Sequence, residues 1–189
     1  GAGMGSASAD GASVLFGLNQ LYDTPFTDDE LEEIGLKVGA DVPFAFVGGT
    51  KLVTGIGENL KELPSMPYCW FVIVTPDYSL PTVLAYHELD KQTVLWDNNE
   101  AQLLEALKTQ NLYSAAESIC NIFFKVCNYE KNVQLKSKLL NCGALNATLT
   151  GTGSSVYGIF DDYEKACYAK KQFERAYICE PCESSLQIE

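Results

Sequence analysis

The chain has 189 residues, 47% hydrophobic and 20% charged, enough apolar material for a packed core in one or two small domains. Thirteen basic against twenty-five acidic residues leave a formal charge of −12, which repels nucleic acid and anionic membrane at long range, so neither is expected as a partner. No run of about 18 apolar residues occurs, and no membrane-spanning helix is expected.

Residues 1–9, Gly-Ala-Gly-Met-Gly-Ser-Ala-Ser-Ala, set three glycines at alternate positions directly before a stretch from Asp10 to Leu21 with helical apolar spacing. Glycines let a backbone approach a phosphate closely, and the free N–H groups of a helix start point at it. Global charge does not exclude such a site, because screening over about 8 Å leaves oriented dipoles and a bound cation in control locally. No initiator methionine and no strand precede this loop, so an upstream segment is expected in the native protein.

Thr27-Asp28-Asp29-Glu30 has capping-box spacing, and Leu31, Ile34, Leu36 and Val38 predict a helix ending near Gly39. Phe44 to Val47, Thr50 to Thr54 and Tyr68 to Thr75 are predicted as strands, with Gly48-Gly49 as a hairpin turn between the first two. Residues 98–109, 112–127 and 129–141 are predicted as three helices. Ala144 to Thr150 and Val156 to Phe160 are predicted as strands flanking a tight turn, Gly151-Thr-Gly153-Ser154-Ser155. Asp161-Asp162 then opens a helix, and Tyr177 to Cys179 closes the sheet. This order of elements predicts an α+β fold with helices packed on one face of a mostly antiparallel sheet.

Seven cysteines, an odd number, fit free thiols in a reducing, cytoplasmic compartment. Cys179-Glu-Pro-Cys182 has zinc-ligand spacing, but no second pair or nearby histidine completes four ligands, and no metal site is expected there. His87 is the single histidine and defines no triad.

Singly, each glycine segment is open to a structural reading: a turn into a helix, or a β-turn of small residues. Asp41 has two readings, a cap of the turn before Val42-Pro43 or a carboxylate that handles a proton. Their fixed order is more specific. Gly1 to Ala12, Gly39-Ala-Asp41-Val-Pro43, Gly48-Gly49 with Gly55-Ile-Gly57-Glu58, and Leu149-Thr-Gly151-Thr-Gly153-Ser-Ser155 together resemble the GHMP kinases over essentially the whole chain.

The resemblance implies the C-terminal portion of that fold. Residues 1–50 would be the remainder of an N-terminal lobe, and residues 51–189 a C-terminal domain of ferredoxin-like type. The Gly-Ala-Asp-Val-Pro segment followed by Gly-x-Gly-Glu resembles the branch that uses ATP, with Mg2+, to phosphorylate the 2-hydroxyl of 4-(cytidine 5′-diphospho)-2-C-methyl-D-erythritol in non-mevalonate isoprenoid biosynthesis. Other small-molecule kinases of the family, or a module that kept the fold without the chemistry, are the alternatives.

By the same resemblance Asp41 is the catalytic carboxylate. Gly1, Ala2, Gly3, Met4, Gly5, Ser6, Ala7, Ser8 and Ala9 form the ATP phosphate loop, and Gly151, Gly153 and Ser154 form a supporting turn packed under it. Ser6 and Ala7 stand where the family usually has glycine, and Ala9 where it has serine. Thr82 and Tyr86 match the substrate segment. There Tyr86 would stack on cytosine, with simple core filling as the competing reading.

Overall fold

The computed structural model describes residues 2–91, 99–126 and 129–182, and these divide into two compact units. One contains Gly5–Ser65; the other contains Met66–Pro181 and the first few residues through Met4.

The smaller unit holds α1 (Ser6–Leu21), α2 (Asp28–Val38), α3 (Val42–Val47), β1 (Lys51–Thr54) and β2 (Asn59–Glu62). Helix α2 begins with the expected capping box: Thr27 Oγ1 accepts from Glu30 N–H, and the Glu30 carboxylate accepts from Thr27 N–H at 2.9 Å. The buried Asn19 side chain closes the α1–α2 connection by bonding both the N–H and the carbonyl of Phe26. Val14, Leu18 and Leu21 of α1 and Tyr22, its C-cap, are exposed.

Phe44 to Val47 is helical, not a strand. Pro43 sits in the first turn of α3, where its missing N–H costs nothing and its fixed φ favours a helix. A four-residue apolar run carries no period of its own, so that turn decides the outcome. Gly48 ends α3 at φ 59°, and β1 pairs instead with β2 in an antiparallel hairpin, Lys51 opposite Glu62.

The larger unit is built on an antiparallel sheet of order β4-β5-β3-β6, with β3 Trp70–Val74, β4 Asn146–Leu149, β5 Val156–Phe160 and β6 Ala176–Cys179. Alternation puts Val72, Val74, Leu149, Val156 and Phe160 on one face. There they pack against Leu139 of α8 (Glu130–Asn141) and Ala166 and Ala169 of α9 (Tyr163–Lys171). The opposite face, carrying Ile159 and Phe71, packs against Ala116 and Leu112 of α6 (Leu112–Ser118), so helices cover part of both faces.

Among the described residues this unit also holds the helices α4 Thr82–Asp90, α5 Glu100–Lys108 and α7 Ile122–Val126. The helix expected over 112–127 is split into α6 and α7, with residue 127 outside the described residues. Asn121 makes the break. Its Oδ1 accepts from Phe123 N–H at 2.8 Å, starting a new helix, while Asn146 Nδ2 donates to the Ala116 and Ile119 carbonyls at the end of α6.

Candidate functional site

In the larger unit the two outermost glycine motifs meet. Gly3 has φ +74°, and a Cβ placed on it would lie 2.2 Å from the Thr150 carbonyl oxygen and 2.8 Å from that of Gly153, so glycine alone fits. Thr150 Oγ1 donates to the Gly3 carbonyl at 2.7 Å, and Ser155 N–H donates to the Ala2 carbonyl at 3.1 Å. The turn at Gly151–Ser155 is therefore packed on the N-terminal loop, 147 residues away in sequence. Gly1 lies outside the described residues.

The turn itself is held from below. Ser154 and Ser155 are buried; Ser154 Oγ donates to the Tyr78 carbonyl at 2.7 Å, and Asn132 Nδ2 donates to the Ser154 carbonyl. Burial, and secondarily Asp77, push the Tyr78 hydroxyl above its ordinary pKa.

The sequence-predicted substrate residues adjoin the same turn. Pro81 is the N-cap of α4, and Thr82, its first residue, lies with Oγ1 3.2 Å from Thr152 Oγ1. Tyr86 is one helical turn further along the same face. It is not core-buried: the residue is 52% exposed, and its ring meets that of Phe123 in a T-shaped contact at 5.0 Å.

In the smaller unit, Gly5 enters α1 in the left-handed conformation, φ 63° and ψ 16°, and no side chain caps the helix. The N–H groups at the start of this 16-residue helix thus lack a side-chain acceptor, and its first turn carries no acidic residue. Ser6 and Ala7 are exposed residues of that first turn, not part of a wider loop, and Ser8 is half-buried. A Cβ on Gly39 would lie 3.8 Å from Ser8 Oγ, which puts the Gly39-Ala-Asp41-Val-Pro43 segment beside the helix start.

Asp41 is exposed and precedes α3, yet its side chain makes no capping bond. Pro43 has removed one of the N–H groups such a cap would use, so the carboxylate is not committed to the turn. Gly57, φ +123°, packs so closely that a Cβ would sit 2.1 Å from the Ala40 carbonyl oxygen. That contact explains why the Gly-x-Gly-Glu segment belongs with the aspartate segment. Glu58 ties the β1–β2 turn by accepting from Ile56 N–H at 2.6 Å; backbone N–H groups, first its own and then that of Ile56, hold its carboxyl below the usual range.

Sequence reasoning missed Asn121, Asn132, Thr150 and Thr152 as supports of this architecture. A cleft of about 480 Å3 lies elsewhere, between α8 and the segment leading into β6, lined by Tyr78, Lys131, Lys138, Phe173 and Arg175 among others. None of the expected site residues lines it. It sets exposed Lys131, Lys138 and Arg175 beside half-buried Tyr78 and Phe173, and its volume assigns no chemistry. Among the described residues no group of three His, Cys, Asp or Glu side chains is arranged to hold a metal ion, and no helix is long and apolar enough to cross a membrane.

Comparison with known proteins agrees with this geometry. The profile "GHMP kinases N terminal domain" matches residues 1–49, and "GHMP kinases C terminal" matches residues 103–179. The chain is 37% identical over 179 residues to a 4-diphosphocytidyl-2-C-methyl-D-erythritol kinase of Syntrophomonas wolfei, covering 94% of this chain and 63% of that protein. It is 38% identical to the like-named protein of Alkaliphilus oremlandii, covering 93% and 61%. The chain therefore spans roughly three fifths of the length of these curated relatives.

A crystal structure of 4-(cytidine 5'-diphospho)-2C-methyl-D-erythritol kinase superposes with a TM-score of 0.79 at 26% identity, covering 95% of this chain and 66% of that one. A homoserine kinase from Cytophaga hutchinsonii superposes with a TM-score of 0.83 at 20% identity, covering 98% and 67%, and shows the fold alone. Two profiles in chain order, relatives matched across nearly all of the chain, and glycine motifs packed pairwise give one conclusion: the chain belongs to the GHMP kinase family.

Proposed function

We propose that this chain carries the phosphate-binding and acceptor-activating parts of a kinase that transfers the γ-phosphoryl group of ATP to the 2-hydroxyl of 4-(cytidine 5′-diphospho)-2-C-methyl-D-erythritol. Residues 1–50 serve as the remainder of the N-terminal lobe and residues 51–189 as the C-terminal domain. The observation that carries the reading is an uncapped helix start entered through a left-handed glycine, beside an aspartate whose carboxylate caps nothing.

Phosphoryl transfer asks a protein mainly for positioning and charge stabilisation. The N–H groups at the start of α1, from Gly5 through Ser8, supply oriented donors for the β- and γ-phosphates without reorganisation during the reaction, while the Ala9 N–H closes the first turn on the Gly5 carbonyl at 2.9 Å. Ala2 and Gly3 are held by the Gly151–Ser155 turn and the Thr150 before it, so Gly151, Gly153 and Ser154 act as supports. Asp41 orients the acceptor hydroxyl and takes its proton as the bond to phosphorus forms.

Mg2+ bound to ATP would neutralise charge on the phosphate oxygens; the Ser8 hydroxyl and the Asp41 carboxylate are hard oxygen donors of the kind that ion accepts. Tyr86, half exposed, would supply the ring on which the cytosine stacks, with Thr82 one turn away on the same helix. The tyrosine's identity as a stacking platform, rather than its hydroxyl, is what this role needs.

Asp41→Asn in the full-length protein tests the reading. Turnover should fall by about 10²-fold or more with nucleotide affinity nearly kept, the usual size of a lost general base. An unchanged kcat returns Asp41 to a purely local role in its turn.

A further inference from the structure

We propose that Asn132 and Tyr78 are positioning residues for the N-terminal glycine loop, acting through a single peptide group of the Gly151–Ser155 turn. Asn132 is the third residue of α8 and only 1% exposed, an uncommon place for a carboxamide. Its Oδ1 accepts from the Tyr78 hydroxyl at 2.6 Å, and its Nδ2 donates to the Ser154 carbonyl at 2.7 Å.

That carbonyl and the Ser155 N–H are the two ends of one planar peptide. The N–H end donates to the Ala2 carbonyl at 3.1 Å. Holding one end therefore sets the direction of the other, with no rotatable bond between them. A hydrogen bond accepted at the carbonyl also polarises the peptide and makes its N–H the better donor.

The arrangement closes on itself, since Ser154 Oγ donates to the Tyr78 carbonyl at 2.7 Å. From the other flank, Asn121 Nδ2 donates to the carbonyls of Leu149 at 3.1 Å and Gly151 at 2.9 Å, so the turn is gripped at both of its shoulders. If Asn132 merely filled volume, leucine would serve. Two directed bonds are what leucine lacks.

The effect on nucleotide binding rests on the kinase reading above; the effect on the turn does not. The experiment compares Asn132→Leu and Tyr78→Phe in the full-length protein with Leu139→Ala, which removes buried volume from the same helix away from the turn. Under conditions where all three are folded, amide hydrogen exchange at Ser155 should quicken about 10-fold in Asn132→Leu and about 3-fold in Tyr78→Phe, as expected for losing one or part of one hydrogen bond. Binding of a fluorescent ATP analogue should weaken by similar factors, with Leu139→Ala within about 2-fold of the parent on both readouts.

Unchanged exchange in Asn132→Leu overturns the proposal. Faster exchange with unaltered nucleotide affinity overturns its extension to the loop's function. If Asn132→Leu fails to fold, Tyr78→Phe, which removes one oxygen, decides alone by the same criteria. A parent protein that binds no nucleotide refutes the kinase reading, while Ser155 exchange still decides the positioning.

Discussion

Alanine at Gly57 and alanine at Gly55 are chemically the same change two residues apart, and the structure predicts different outcomes. Both glycines have positive φ, +123° and +73°. At Gly55 the atom that obstructs a Cβ is the carboxylate end of Glu58, an exposed side chain that can swing away by giving up its solvent-exposed bond to Ile56 N–H, leaving a backbone strain of about 1–2 kcal/mol and the loss of that bond. At Gly57 the obstruction is the Ala40 carbonyl oxygen at 2.1 Å, which is backbone and must move by roughly an ångström to reach ordinary contact. Strain of about 1–3 kcal/mol and overpacking of about 1–3 kcal/mol then add to roughly 2–6 kcal/mol.

The displaced carbonyl belongs to the residue before Asp41, so the loss extends beyond stability. A misplacement on the order of 1 Å can cost about 10²-fold in rate. Urea unfolding followed by far-UV circular dichroism gives the stability difference, and steady-state kinetics of the full-length protein at a temperature where both variants are folded give kcat. Gly57→Ala should show the lower midpoint and a disproportionate loss of kcat. Equal midpoints and equal kcat for the two variants refute the close-approach argument.

Tyr86→Ala should raise KM for the cytidine substrate and leave KM for ATP nearly unchanged, whereas Tyr86→Phe should be almost silent; a parallel rise in both constants, with a lower Tm, would mark the ring as a packing element on Phe123. Glycine at positions 6 and 7 should loosen the start of α1 and lower Tm modestly, because those residues are helical; a tighter ATP Kd in the same variants would show that their side chains crowd the phosphates. Cys69 is buried, and burial pushes its thiol up to about 11, so iodoacetamide at pH 8 should label the exposed Cys120 and spare Cys69 until the protein unfolds. Because its folded pKa is the higher one, Cys69 contributes stability that is whole below an unfolded value of 9.0 and declines as pH rises towards about 11; a Cys69→Ala variant should lack that part of the alkaline loss in urea titrations.

The parts of this fold legible in sequence were those fixed by local chemistry. Thr27 and Glu30 marked the start of α2 because a capping box satisfies donors within a single turn, and Asp162 opened α9 in the same way, accepting from Lys165 N–H. Asn59-Leu-Lys-Glu62 is too short and too polar to announce a strand, and β2 exists because β1 lies opposite it. Asn121 looks in sequence like one polar residue inside an apolar helix. Only the partners at Phe123, Leu149 and Gly151 turn it into a break. Asn132 was illegible for the same reason: a carboxamide near a helix start reads as solvated, and its two bonds join segments separated by 54 and 22 residues. The glycine loop and its supporting turn were matched through family resemblance; the reason glycine is required at position 3, a carbonyl 2.2 Å away, is visible only in three dimensions.

The exposed stripe of α1 bears on how the protein behaves in solution. Val14, Leu18, Leu21 and Tyr22 form an adhesive ridge on a molecule whose formal charge of −12 holds copies apart at neutral pH. Colloidal stability therefore depends on the carboxylates remaining ionised and on salt not screening them. Acidification towards the carboxylate range, or high ionic strength, removes the repulsion and leaves the ridge in control, so turbidity should rise under those conditions and should fall when Leu18 and Leu21 are replaced by glutamate.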